Sequence, residues 1–294
     1  MDSEAVEKTK KAGEIAQEAV RFAKGFVKRN MNLLDIANAI EAKILELGGK
    51  PAFPVNLSIN EIAAHATPSW DDESVAYGLL KVDIGVHVDG FIGDTAFSID
   101  LENDNENKKL INAAESGLHE ALKHFKYGVS LGDIGNIIEK TIAEKNVNVV
   151  KNLSGHSIER YDVHAGITIP NYNNKSSEEI GEGVFAIEPF TTNGGGKVID
   201  GKLSGIYHLI KEGNVRDNFA RDVLHFIVNE YNTLPFCSRW IHKKFGTRGL
   251  LALRFIEQAG LLHHYPQLIE INKGKVAQAE HSVVVTKKEV EIVT

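Results

Sequence analysis

The 294-residue sequence contains a single cysteine, Cys237, so no disulfide can form within the chain, and no Cys-x-x-Cys pair exists to build a zinc knuckle. Long apolar runs are missing as well. No stretch approaches the roughly 18–20 apolar residues that span a bilayer. The opening MDSEAVEKTKKAGEIAQEAV is charged from its second residue, without the apolar centre of a signal peptide. Positive charge is scarce: 33 Lys and Arg stand against 40 Asp and Glu, for a net charge of −7. That balance argues against an electrostatic binder of DNA or RNA. There is also no internal repeat and no low-complexity tract. With 43% hydrophobic and 25% charged residues, what remains is a globular protein of the reducing cytoplasm, large enough to bury a substantial core.

The stretch that organises the chain is Lys81 to Asp100, KVDIGVHVDGFIGDTAFSID. It reads as two short strands joined by a turn at Val88 to Gly90. Val82 and Ile84 alternate with Asp83, and Phe97 and Ile99 lie opposite the face that carries Asp94. Such period-two alternation marks half-buried strands. Two aspartates on core-like strands are costly unless something positive neutralises them, and a metal ion would do so.

Around this hairpin the remaining elements follow from periodicity and breakers. Residues 2–29 carry Val6, Ile15, Ala19, Phe22 and Phe26 at helical spacing. A second helix starts after Asn32, an N-cap, and stops at Gly48-Gly49. Residues 50–70 predict a short strand and then a loop that displays His65. Helices are expected over 103–125, 131–145, 217–231 and 247–259, with strands over 147–170, over Gly183–Pro189 and from Ala277 onward. The helical tract His119-Glu120-Ala121-Leu122-Lys123-His124 superficially resembles a zinc-protease signature. Its histidines are five residues apart, however, and so point roughly 140° from one another on a helix. It is read as a surface helix.

Five acids and histidines interrupt apolar strands: Asp83, Asp94, His156, Glu188 and Glu280. Each alone is a weak signal, and their spacing requires a whole fold to bring them together. The motifs VDIGVHVDGFIGDTA, SGHSI, HAG, FAIEPF and AEHSVVV, in that order, resemble the methionine aminopeptidase family. The likeness runs over nearly the whole chain. AFPVNLSINEIAAHATP, NEYNTLPFCSRW and the helical segment between Glu188 and Glu280 are similar to the type 2 subfamily in its short archaeal form.

The resemblance implies an α+β "pita-bread" fold: an antiparallel sheet flanked by helices, forming one catalytic domain over 1–294 with a helical insert over 205–264. It also implies two divalent ions (Co, Mn, Fe or Zn) held by those five ligands. Asp83 would hold one metal, Asp94 and Glu280 would bridge both, and His156 and Glu188 would complete the other. Four carboxylates then match the charge of two divalent ions, and oxygen-rich ligation with one imidazole suits Mn, Fe or Co. A hydroxide held between the metals would attack the first peptide bond of a nascent chain with a small second residue, releasing its initiator methionine. In the family the free α-amine also binds a metal, which confines cleavage to the N-terminus. Glu188 would shuttle protons, His164 would stabilise the carbonyl oxygen and His65 would bond the scissile amide. Phe53, Val163, Phe190 and Tyr265 fall where the family forms its methionine pocket. The insert's first pocket residue is not assigned, because residues 193–205 align loosely. A monomer is expected. Ribosome association fits the task, although no basic tail supports it. The rival readings are a proline-specific peptidase and a non-catalytic protein- or RNA-binding relative. Asp83 lies too early to leave room for the extra N-terminal domain of the former, and all five ligands that the latter would have lost are present.

Overall fold

The computed structural model describes residues 2–294. Six helices are found among the described residues: α1 (Ser3–Phe26), α2 (Leu33–Glu46), α3 (Asn105–His124), α4 (Leu131–Ala143), α5 (Asn218–Tyr231) and α6 (Ser238–Gln258). The strands are β1 (Lys50–Pro51), β2 (Asn56–Ile59), β3 (Ile62–Ala64), β4 (Leu79–Val88), β5 (Phe91–Asp100), β6 (Asn148–Val149), β7 (Ser154–Ile158) and β8 (Thr168–Pro170). They continue with β9 (Gly183–Ile187), β10 (Phe190–Thr192), β11 (Val198–Leu209), β12 (Phe236–Cys237), β13 (Leu262–Glu270), β14 (Val276–Gln278), β15 (Glu280–Val285) and β16 (Val290–Ile292). No helix is long and apolar enough to cross a membrane, among the described residues.

The aspartate stretch forms an antiparallel hairpin of two ten-residue strands, longer than the sequence suggests. Its turn is Asp89-Gly90, both at positive φ, the conformation that a two-residue hairpin loop with right-handed strand twist demands. This hairpin enters a nine-stranded sheet whose main path runs β1-β4-β5-β15-β9-β7-β8, so the late strand β15 lies between β5 and β9.

Alternation along these strands separates the two faces. Leu80, Val82, Ile84 and Val86 of β4 pack with Ile15, Ile36 and Ile40 of α1 and α2. Phe185 and Ile187 of β9 and Val283 and Val285 of β15 pack with Leu110, Ile134 and Ile138 of α3 and α4. The helices therefore cover one face. On the opposite face Ile158, Val184, Ala186 and Val284 pack with Phe53 and Val163. Helix α1 approaches β5 closely at Gly93, where a Cβ would meet the backbone of Gly13.

Two smaller sheets, β14-β10-β6 and β12-β11-β13-β3, complete the molecule. Three differences from the sequence reading are physical. Residues 50–70 hold three short strands rather than one. Residues 205–209 continue β11, because Tyr207 and Leu209 are buried against the helices that follow. The helix expected over 247–259 begins at Ser238 and is broken at Gly246 (φ 63°, ψ −161°), where glycine tolerates a backbone that hides its periodicity. His119 and His124 are exposed on α3, as a surface helix requires.

Candidate metal centre

Asp83 and Asp94 lie two residues out of register on the paired strands β4 and β5, and so on the same face, Asp83 opposite Ala96 and Asp94 opposite Gly85. Glu280 opens β15 and also pairs with Ala96, which sets it beside both aspartates. His156 on β7 faces Ala186 on β9, and Glu188 follows the last residue of β9. Five strands thus deliver five ligand-type side chains to one place, four from within a strand and Glu188 from the end of β9. Asp94, His156 and Glu280 each offer an atom within 4.8 Å of the others'. His156 Nε2 lies 3.6 Å from Glu188 Oε1 and 3.8 Å from Asp94 Oδ2.

The electrostatics of this cluster are unfavourable as it stands. Burial pushes Asp94, Glu188 and Glu280 well above the ordinary carboxyl range, and repulsion among the acids adds to it. Burial raises Asp83 to about 7. His156 is lowered to about 3 by burial, which leaves a neutral imidazole able to ligate. Asp83 Oδ1, Asp94 Oδ1 and Glu280 Oε2 are enclosed without a hydrogen-bond partner. Enclosed carboxylate oxygens with no donor are costly unless a cation sits among them. The donor set of carboxylates and one imidazole therefore fits hard or borderline divalent ions.

A cavity of about 310 Å³ opens above the cluster. All eleven residues singled out from the sequence line it: the five ligand candidates, His65, His164, Phe53, Val163, Phe190 and Tyr265. Phe53, Val163 and Phe190 are buried, so the wall opposite the acids is apolar. His164 keeps an exposed edge at the mouth, 4.5 Å between ring centroids from His156, and the protein packed around it still lowers its pKa. His65 sits at φ 59°, a left-handed conformation that costs a non-glycine residue about 1–2 kcal/mol. Its Nδ1 lies 3.3 Å from Pro266 O, its ring stands edge-on to Tyr265, and burial lowers its pKa to about 4.

Sequence reasoning missed several neighbours. The Gln278 amide donates to Glu188 Oε2 (3.2 Å) and Asp83 Oδ2 (3.4 Å), and its place two residues before Glu280 was the available signal. Asn56 is the cross-strand partner of Asp83 and lines the cavity. Ile206 of β11, Pro235 just before β12 and Leu268 of β13 also line the wall. His208, just beyond the loosely aligned residues 193–205, packs against Tyr265 at 5.2 Å between centroids.

Comparison with known proteins agrees with this geometry. The chain is 47% identical over 292 residues to a methionine aminopeptidase of Thermococcus onnurineus, with 97% of each chain covered. It is 41% identical over 297 residues to one of Methanocaldococcus jannaschii, with 100% of each covered. Among solved structures it superposes on a methionine aminopeptidase of Thermotoga maritima with a TM-score of 0.73 at 22% identity, covering 100% of this chain and 98% of that one. That likeness speaks for the fold. A family model for Metallopeptidase family M24 matches residues 7–287, which take in every strand of the acidic cluster: the chain belongs to that family.

Proposed function

We propose that the protein is a metal-dependent methionine aminopeptidase that removes the N-terminal methionine from nascent chains with a small second residue. The observation that carries this reading is the juxtaposition of a carboxylate-imidazole cluster, with enclosed, unpartnered oxygens, and an apolar cavity of about 310 Å³. That volume lies at the lower end of small-ligand cavities and suits one side chain with its first peptide bond.

In this reading Asp83, Asp94, His156, Glu188 and Glu280 would hold two divalent ions, from among Co, Mn, Fe and Zn, with Asp94 and Glu280, neighbours on β5 and β15, contributing to both. When bound, such ions supply Lewis acidity toward a carbonyl and an anchor for a free amine. The chain's own residues do the rest. Phe53, Val163, Phe190 and Tyr265 receive the methionine side chain. His164, held neutral, donates a hydrogen bond to the carbonyl oxygen as charge develops there. His65, neutral at any pH well above 4, bonds the scissile amide. Glu188, at the end of β9 within the cluster, takes up and returns a proton at its carboxylate.

The segment over 205–264, whose helices α5 and α6 have their own core cluster, favours a type 2 assignment and acts as a wall of the site. We place the protein in the cytoplasm as a monomer working on chains near the ribosome.

The test is release of methionine from Met-Ala-Ser and Met-Pro-Ala by chelated protein before and after addition of Mn, Co or Fe, with N-acetylated Met-Ala-Ser as control. Metal-dependent cleavage of the free peptides alone is the expected result. Silence with every metal despite stoichiometric binding would overturn it.

A further inference from the structure

Behind the cavity wall, away from the acidic cluster, lies a buried ion pair between α2 and α6. Glu41 and Arg239 are 7% and 4% exposed and meet side on: Arg239 Nη1 to Glu41 Oε2 is 2.7 Å, and Nη2 to Oε1 is 2.8 Å. Arginine offers five N–H donors in a rigid fork. Here all five are used. The remaining three go to Pro68 O (3.2 Å, from Nε), Asn38 Oδ1 (3.1 Å, from Nη1) and Thr67 Oγ1 (3.4 Å, from Nη2). Glu41 is engaged as fully: Oε2 also accepts from Trp240 Nε1 at 2.8 Å, and Oε1 from the Val55 amide at 3.3 Å.

The partners of this pair converge on one short segment. Thr67 and Pro68 stand two and three residues after His65. Thr67 Oγ1 donates to Val55 O at 2.9 Å, and the Leu57 amide donates to Ala66 O at 2.6 Å. The three residues that follow His65 are therefore each tied down, to β2 or to Arg239. On its other side His65 faces Pro266 O and Tyr265. Its left-handed backbone would relax if either side let go. A buried ion pair is a poor source of net stability compared with apolar packing, whereas its directional bonds specify geometry well.

We infer that the Glu41–Arg239 pair is a positioning device that holds His65 in its working orientation and locks the insert to the body of the protein at the same point. The inference rests on the reading of His65 as a substrate-contacting group. Neither Glu41 nor Arg239 lines the metal cavity, so both act through the His65 segment.

The test uses Glu41→Gln, which keeps the volume and removes the charge, and Thr67→Val, which removes one tether with little change in shape. In the metal-loaded protein Glu41→Gln should lower kcat on Met-Ala-Ser about ten- to a hundredfold, the scale that misplacement of a reacting group produces. KM and bound metal should change little. In a His65→Ala background the same substitution should have no further effect, since the residue it positions is gone. A loss that multiplies with His65→Ala, a normal kcat, or loss of metal would each overturn the assignment. Histidine-ring NMR of the same proteins supplies a reading that needs no turnover. The His65 resonance, identified by its absence in His65→Ala, should move in Glu41→Gln and in Thr67→Val, and an unmoved resonance in both would overturn the inference even if wild-type protein released no methionine.

Discussion

Replacing Asp83 by Asn should stabilise the metal-stripped protein at alkaline pH while weakening its response to metal. Burial raises the Asp83 carboxyl from 3.8 to about 7, and Gln278 opposes this only in part. A carboxyl whose folded pKa lies above its unfolded one contributes its stability in full below pH 4 and loses it as pH rises through about 7. At 1.36 kcal/mol per pH unit that interval amounts to about 4 kcal/mol. Asp83 is partly open to the cavity, so screening brings the expected effect to about 2–4 kcal/mol. The neutral amide does not titrate and escapes this loss. Urea unfolding of chelated protein at pH 5 and 8.5 captures the part that falls between pH 5 and about 7, about 2–3 kcal/mol before screening. Wild type should lose stability between the two values and recover it with metal, by about 2.7 kcal/mol at a hundredfold excess over Kd. The variant should show a shallower pH slope and a smaller metal gain. Equal slopes for the two proteins, or equal stabilisation by metal, would refute the reasoning.

Three further expectations concern single side chains. Glu188→Gln should keep the fold yet cut turnover about a hundredfold or more, as loss of a general acid-base group does; near-normal rates would remove Glu188 from the mechanism. A Cβ at Gly85 would overlap the Phe53 ring, so Gly85→Ala should push that ring into the cavity and raise KM for methionyl peptides about tenfold, with kcat little changed. An unchanged KM would show that the ring does not bound the methionine site. His87 is buried, its pKa lowered to about 4 by that burial and by Lys50, and its Nδ1 accepts from the Gly90 amide. The unfolded chain therefore binds more protons between pH 6.5 and about 4, and stability falls as pH falls through that window, by about 3 kcal/mol. Urea midpoints of chelated wild type and His87→Gln should converge as pH drops; parallel curves would contradict this.

The acidic hairpin was legible because Asp83 and Asp94 sit in strands whose apolar alternation reads as core, and a charge in such a strand is visible without the fold. His65 and Glu188 were legible only through their motifs. Nothing in AAHATP announces a left-handed backbone, and a glutamate after an apolar strand is usually just solvated. Gln278 and Asn56 escaped because an amide beside a carboxylate has no signature in composition. The Glu41–Arg239 pair escaped for another reason: its members are 198 residues apart, and each sits in a helix where a charged residue looks ordinary. The first part of α6, residues 238–245, escaped because the break at Gly246 cuts its periodicity off from the helix that follows.

The place of β15 in the sheet bears on how the chain reaches this state. Thr95 Oγ1 donates to Glu280 O, joining residues 185 apart in sequence, and β15 bridges two strands, β5 and β9, that do not pair with one another. During synthesis both strands exist long before the one that joins them. Until then each presents an open edge, the template for unwanted pairing with other chains. Such non-local closure is slow, and its waiting states are prone to aggregate. The same insertion brings Glu280 to the other three acids and the histidine. Closure of the sheet and completion of the ligand set are therefore one event in time, and a partly made chain is exposed at its edges and incomplete in its chemistry at the same moment.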